Sequence, residues 1–246
     1  MGIKYAVNED FFDTWSRGSA YLLGFIYADG SLENAQYIRG KYLRITSTDR
    51  KHLLRLRNCL GSQHPLICRP PVYTEGKSIY LLRIGSHKIY DALTRRQLHP
   101  RKSLTLRLPN VPGPYLKDFI RGYFDGDGCV YLELAPGRRQ PTIVRKLTSV
   151  FTSGSRLFLV RLAQSLYRCA GLSQRRVYQS HRSYQLRYST RDSIALFKFL
   201  YNNVSAEVYL ERKYNIFKRY FQRRPQVIDK NVARILRAVL PGQVVK

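Results

Sequence analysis

The sequence predicts an α+β fold built twice: two pseudo-symmetric halves, each running helix, two strands, helix, two strands, helix. Three observations predict it. The chain matches itself in four ordered blocks. A stiff proline-rich segment separates the copies. Within each copy the apolar spacing switches between the helical and the strand period.

The self-match centres on YLLGFIYADGSL, Tyr21 to Leu32, and FIRGYFDGDGCVYL, Phe119 to Leu132. Placing Asp29 on Asp127 puts Gly24 on Gly122, Phe25 on Tyr123, Ala28 on Gly126 and Gly30 on Gly128. Downstream, Arg44 to Arg50 matches Val150 to Arg156, Tyr80 to Ser86 matches Tyr184 to Thr190, and Arg101-Lys102 matches Arg212-Lys213. Between the copies, Leu108 to Pro114 holds three prolines and a glycine, an extended spacer ending in a residue suited to open a helix. The expected organisation is a first half over 1–108, a linker at 109–114, a second half over 115–223 and a tail at 224–246.

The elements follow in order. Ser19 to Asp29 has helical spacing, with Leu22, Phe25 and Ile26 on one side, and Gly30 is expected to stop it. Ser31 to Ser47 reads as a hairpin turning near Asn34 or Arg39-Gly40. Asp49 is placed to cap a helix through Leu60. Leu66 to Tyr73 and Ser78 to Gly85 form a second hairpin turning at Glu75-Gly76, and a helix follows from Ser86 to Leu93. The second half repeats this: a helix to Asp127, strands to Thr152, a helix from Ser155 to Cys169, strands from Arg176 to Ser189, and a helix from Asp192 to Tyr201. Val227 to Leu240 predicts a short helix outside the repeat.

Charge narrows the function. Lys and Arg total 43 against 16 Asp and Glu, a formal net charge of +27 on 246 residues. A compact fold with that charge repels itself, and nucleic acid is the usual partner that relieves it. Hydrophobic residues make up 44%, enough for a core and too many for a basic disordered tail. Cys59, Cys68, Cys129 and Cys169 lack the short spacing of a zinc site. They read as reduced, core-type residues of a reducing compartment. No stretch is long and apolar enough to cross a membrane, and no apolar signal core opens the chain. The 19 tyrosines fit strand propensity.

The two Asp-Gly helices carry the chemistry. Gly24 and Ala28 share a helix face, as do Gly122 and Gly126. Small residues at that spacing let two helix backbones approach closely. Helices paired that way would end together, with Asp29 and Asp127 side by side. Carboxylates at helix C-termini add to a negative field, which a divalent cation reverses. Carboxylate and carbonyl oxygens suit magnesium, which keeps waters and takes its other ligands from phosphate.

Leu22 to Gly30 and Ile120 to Gly128 resemble the LAGLIDADG motif, and the resemblance runs over residues 15 to 222. It implies αββαββα halves packed through the two motif helices, with antiparallel sheets forming a DNA-binding saddle. It implies a homing endonuclease cutting a long, pseudo-palindromic DNA duplex with divalent metal, one strand per half-site, as a monomer with an internal pseudo-two-fold. By resemblance, Asp29 and Asp127 bind metal, helped by the backbone carbonyls of Ala28 and Gly126. Lys102 and Lys213 are its basic catalytic candidates, and Ser47 and Ser153 its water-positioning ones. Mg2+ is the expected ion, with Mn2+ or Ca2+ as substitutes. Tyr27 stands where the second motif has Asp125, and that position is expected to face packing.

A two-stranded ribbon fits the major groove, and strand side chains alternate faces. The DNA-contact candidates are Arg39, Lys41, Arg44, Arg69, Lys77 and Arg83 in the first half. In the second they are Arg138, Arg139, Arg145, Lys146, Arg175, Arg182 and Arg187. The competing reading keeps the scaffold without cutting, as an intron RNA maturase or a DNA-binding regulator. Both acidic residues and both Arg-Lys blocks favour the enzyme.

Overall fold

The structure is a computed structural model, described over residues 4–35, 40–71, 76–100, 102–136, 142–204 and 209–238. It divides into two compact units, residues 1–126 and 127–246.

The first unit opens with α1 (Arg17–Asp29). Ser16 caps it, its hydroxyl accepting from the Ser19 N–H while Ser19 reaches back to the Ser16 N–H, a reciprocal capping box. β1 (Gly30–Ala35) follows without a break and pairs with β2 (Gly40–Ser47). Asp49 caps α2 (Arg50–Cys59) through the His52 N–H, and Ser86 caps α3 (His87–Arg95) through the Ile89 N–H. Between them, β3 (Leu66–Arg69) and β4 (Ile79–Gly85) complete an antiparallel sheet of order β1-β2-β4-β3. Most of α4 (Gly113–Asp127) also belongs to this unit.

The second unit holds β5 (Gly128–Ala135), β6 (Ile143–Ser153), β7 (Tyr178–Ser180) and β8 (Ser183–Tyr188), in the matching order β5-β6-β8-β7. Its helices are α5 (Arg156–Ala170), α6 (Thr190–Tyr201), α7 (Glu211–Arg223) and α8 (Lys230–Ala238). Gly171 ends α5 in the left-handed region, at φ 64°, a conformation that glycine adopts at least cost.

Alternation along the strands places the core. Leu32, Leu43, Ile45, Leu82 and Ile84 share the buried face of the first sheet; Val130, Leu147, Phe151, Leu186 and Tyr188 share that of the second. In the second unit Phe197, Tyr201, Tyr209, Tyr214, Phe217 and Phe221 form one ring cluster.

Several expectations need correction. Asn34 is not a turn: it pairs with Lys41, and Ala35 with Gly40; Arg39 of the other expected turn lies outside the described residues. β3 stops at Arg69 rather than Tyr73, because Pro70 and Pro71 cannot donate to a ladder; Glu75 of the second expected turn also lies outside the described residues. Gly30 does not stop α1 through a left-handed conformation, since its φ is −95°. Its glycine is required by space: an added Cβ would lie 2.6–2.8 Å from three atoms of Ile26. Cys68, Cys129 and Cys169 are exposed rather than core residues. Among the fully buried tyrosines, Tyr21, Tyr27, Tyr123 and Tyr201 lie on helices, where strand propensity does not account for them, and Tyr188 lies on β8. α7 was not expected, and the tail helix begins at Lys230. No helix among the described residues is long and apolar enough to cross a membrane.

α4 carries a buried ion pair, Arg121 Nη2 to Asp118 Oδ1 at 2.7 Å, with side chains 1% and 2% exposed. Breaking such a pair strands a charge in the interior. Arg121→Met alone is expected to cost about 3–5 kcal/mol in urea unfolding, and Asp118→Leu/Arg121→Met clearly less than the sum of the single changes. Additive losses would mean that the two charges do not interact.

Candidate functional site

The site begins with the contact between α1 and α4. A Cβ added at Gly24 would lie 2.0 Å from the Phe119 carbonyl oxygen, and one at Gly122 would lie 1.9 Å from that of Tyr21. The helices therefore touch backbone to backbone at the two glycines that the repeat aligns. The contact runs to the helix ends, where a Cβ at Gly126 would lie 2.3 Å from the Ala28 Cβ and 3.4 Å from Asp29 Oδ2.

The flanking side chains lock this register. Tyr21 Oη donates to Asp125 Oδ2 at 2.7 Å, and Tyr27 Oη donates to the Arg96 carbonyl at 2.7 Å. Tyr27 and Asp125 are each 1% exposed, so the position at which the two motifs differ is a packing position. Burial pushes the Tyr27 phenol well above its ordinary range. The motif aspartates behave differently: Asp29 and Asp127 are both half-buried at the last residue of their helices. Neither helix has a basic residue in its last turn, so nothing on the helix itself offsets the negative end.

The cations come from elsewhere in the chain. Lys102, 9% exposed on a 3-10 turn over Lys102–Leu104, donates to the Ala28 carbonyl at 3.4 Å. Lys213, 2% exposed near the start of α7, donates to the Gly128 carbonyl. A buried ammonium needs such acceptors, and in each unit the acceptor is a backbone oxygen next to the motif aspartate. The copies are not identical: the acceptor precedes Asp29 in one and follows Asp127 in the other. α7 is the element that sequence reasoning missed, although the aligned Arg-Lys blocks marked its first turn.

Ser47 and Ser153 hold matching local posts. Each hydroxyl accepts from the backbone N–H two residues on, Asp49 and Ser155, at 3.1 Å. Each lies two residues past the partner of its motif glycine, Gly30 opposite Ile45 and Gly128 opposite Phe151.

The donor set offers carboxylate and carbonyl oxygen. Among the described residues no three His, Cys, Asp or Glu cluster into a metal cage.

The outer sheet faces carry the basic residues. Arg44 and Arg83 face each other across β2 and β4, and both approach Glu33, at 3.7 and 3.0 Å. Arg187 lies on the outer face of β8, while Arg69, Lys77 and Arg145 are exposed and Arg182 is exposed in the β7–β8 turn. A bulge makes Arg145 the extra residue between Val144 and Lys146, and Lys146 stands 3.7 Å from Glu133. Two candidates are tied to helices. Lys41 turns to the helix side of its sheet and donates to Asp91 of α3 at 2.6 Å. Arg175 binds Asp192 at 3.1 Å; burial opposes that carboxylate's charge, but hydrogen bonds from Ser173 and Arg175 outweigh it and hold its pKa below the usual value. Arg39, Arg138 and Arg139 lie outside the described residues. The exposed apolar side chains of Ile67, Ile79, Tyr131 and Tyr178 share these outer faces, and their period-2 placement was the sequence signal for them.

Comparison with known proteins bears on the fold. The LAGLIDADG-like domain family matches residues 114–200. The chain is similar in structure to the I-LtrWI LAGLIDADG homing endonuclease bound to target DNA, at TM-score 0.55 and 11% identity, covering 96% of this chain and 99% of that one. It is similar to the homing endonuclease I-WcaI bound to its DNA recognition sequence, at TM-score 0.60 and 13% identity, covering 84% and 90%. It is also similar to the meganuclease I-AabMI bound to uncleaved DNA, at TM-score 0.54 and 14% identity, covering 91% and 98%. No curated protein matches by sequence.

Proposed function

We propose that this chain, whose residues 114–200 match the LAGLIDADG-like domain family and whose fold is similar to that of LAGLIDADG homing endonucleases, is itself a site-specific, metal-dependent endonuclease. Its substrate is a long, pseudo-palindromic DNA duplex, cut once on each strand by a monomer. The observation that carries the reading is the duplicated arrangement at the motif ends. In each copy a half-buried aspartate closes the helix, and a buried lysine is delivered beside it from a distant segment.

Each residue then has a task. Asp29 with the Ala28 carbonyl, and Asp127 with the Gly126 carbonyl, supply the hard oxygens that hold a divalent ion, magnesium in the cell. Such an ion, when bound, supplies water activation and charge neutralisation at a scissile phosphate. Lys102 and Lys213 present donors to phosphate oxygens or to the attacking water. Their backbone acceptors fix each ammonium before DNA arrives, which lowers the reorganisation needed during reaction. Ser47 and Ser153 hold the turns after β2 and β6 and present hydroxyls to the same water network. The basic outer sheet faces bind the duplex.

The direct test is to incubate the chain with a randomised duplex library and magnesium and to sequence the cut ends. Recovery of one long site cut on both strands is expected. Tight, selective binding with no cut ends would instead favour the non-cleaving reading, as a maturase or regulator. Binding itself should weaken steeply with salt. If about six phosphates are neutralised, affinity falls roughly a thousandfold between 50 and 200 mM salt. Fluorescence anisotropy across that range measures the slope, and a flat response would remove the sheet faces as the DNA-binding surface.

A further inference from the structure

We infer that Arg83 and Arg187 are guanine-reading residues, one for each half of the target; the inference rests on the DNA-binding reading above. The two arginines occupy the same place in the repeat, as the arginine of Tyr80 to Ser86 and of Tyr184 to Thr190. Both lie on outer sheet faces, and both are held by an acceptor through the same edge of the guanidinium.

Arg83 reaches from β4 across β2 to β1. Its Nε lies 3.3 Å from Glu33 Oε2 and its Nη2 lies 3.0 Å from Glu33 Oε1, a two-point grip. On the way the guanidinium passes 3.6 Å over the ring of Tyr42. Two glycines give that ring its place: a Cβ at Gly40 would lie 2.5 Å from it, and one at Gly85 would lie 3.0 Å away. Tyr42 is thus a floor, Glu33 a side wall, and the guanidinium plane is set before any ligand arrives. Arg187 repeats the device more simply. Its Nε and Nη2 lie 2.9 and 2.6 Å from Gln185 Oε1, two residues back on the same strand face.

The held edge decides what the open edge can do. With Nε and one side of Nη2 engaged, the remaining N–H groups of Nη1 and Nη2 point outward as a parallel pair in one plane. That pair matches O6 and N7 of guanine in the major groove. Phosphate binding draws on net charge, and here Glu33 offsets the charge while fixing the plane. Arg83 is therefore built for reading a base edge. Arg187 keeps its full charge, because a neutral amide holds it, and adds backbone attraction to the same readout.

The experiment is a binding selection on the full-length chain with a randomised duplex library, with no cleavage required. The wild-type consensus should contain a guanine in each half that depends on one of these arginines. Arg83→Ala should erase one and Arg187→Ala the other, each lowering discrimination at that base by about 5- to 150-fold. Arg83→Lys keeps the charge and loses the fork, so it should lose that guanine as Arg83→Ala does. Glu33→Gln and Gln185→Ala should blur the same two positions. If Arg83→Ala and Arg187→Ala instead weaken binding to all sequences alike and lower the salt slope by about one, both are phosphate contacts and the inference falls. A chain that binds no duplex overturns the DNA-binding reading itself. One that selects a site but keeps both guanines in the variants overturns this inference alone.

Discussion

Gly24→Ala is expected to destabilise the protein by about 3 kcal/mol or more, a large share of a typical domain's stability. The sign of the effect makes it diagnostic. In an ordinary helix interior, alanine is favoured over glycine by about 1 kcal/mol. Here the new methyl carbon would lie 2.0 Å from the Phe119 carbonyl oxygen and 2.9 Å from both the Phe119 carbonyl carbon and the Tyr123 nitrogen. These are backbone atoms of a helix and cannot step aside as a side-chain tip can, so α1 and α4 must separate. Gly122→Ala meets the Tyr21 carbonyl oxygen at 1.9 Å and should behave alike. Gly113→Ala, at the start of α4 with nothing within 4 Å of the added carbon, is the control and should be neutral or slightly stabilising. Urea unfolding of the three variants checks the ranking. Gly24→Ala within 1 kcal/mol of the parent would mean that the helices do not meet at this contact.

The part of this contact that was legible in the sequence was the part written twice. Gly24 and Gly122 could be paired because the repeat aligns them, and the strand orders of the two sheets follow the same duplicated pattern. What stayed hidden depends on partners far away in sequence. Glu33 reads as one more acidic residue until β1, β2 and β4 bring Arg83 to it, fifty residues on. Lys41 reads as an outward strand lysine until α3 brings Asp91 under it. Local chemistry misled in a different way at Gly30: Asp-Gly suggests a left-handed stop, whereas the glycine is needed because β1 leaves α1 directly over Ile26. α7 was missed although the aligned Arg-Lys blocks marked its first turn, since no side chain caps it. Its amphipathic residues Tyr214, Phe217 and Phe221 find their reason only in the ring cluster with α6. The aspartates were legible as matched carboxylates at the ends of two helices, because sequence states a functional group directly, whereas packing needs only volume.

That distinction gives the other large expected effect. Asp29→Asn and Asp127→Asn keep size and shape and remove one charge each. Both residues are half-buried at helix ends, outside the buried row of Tyr21, Tyr27 and Asp125, so folding should change little. If these carboxylates hold divalent metal, an amide in their place forfeits several kcal/mol of transition-state stabilisation. About 4 kcal/mol corresponds to roughly a thousandfold in rate. Each single variant should lower cleavage by about that factor or more, while affinity for the selected duplex in calcium stays within a few fold. Terbium luminescence supplies a readout independent of cleavage, and each substitution should weaken terbium binding. Without metal the variants should stay close to the parent in stability. A purely structural aspartate would give the opposite pattern: lower stability, unchanged terbium binding and normal cutting by the folded fraction. That outcome would leave the basic sheets as a binding surface and move the chemistry away from the motif ends.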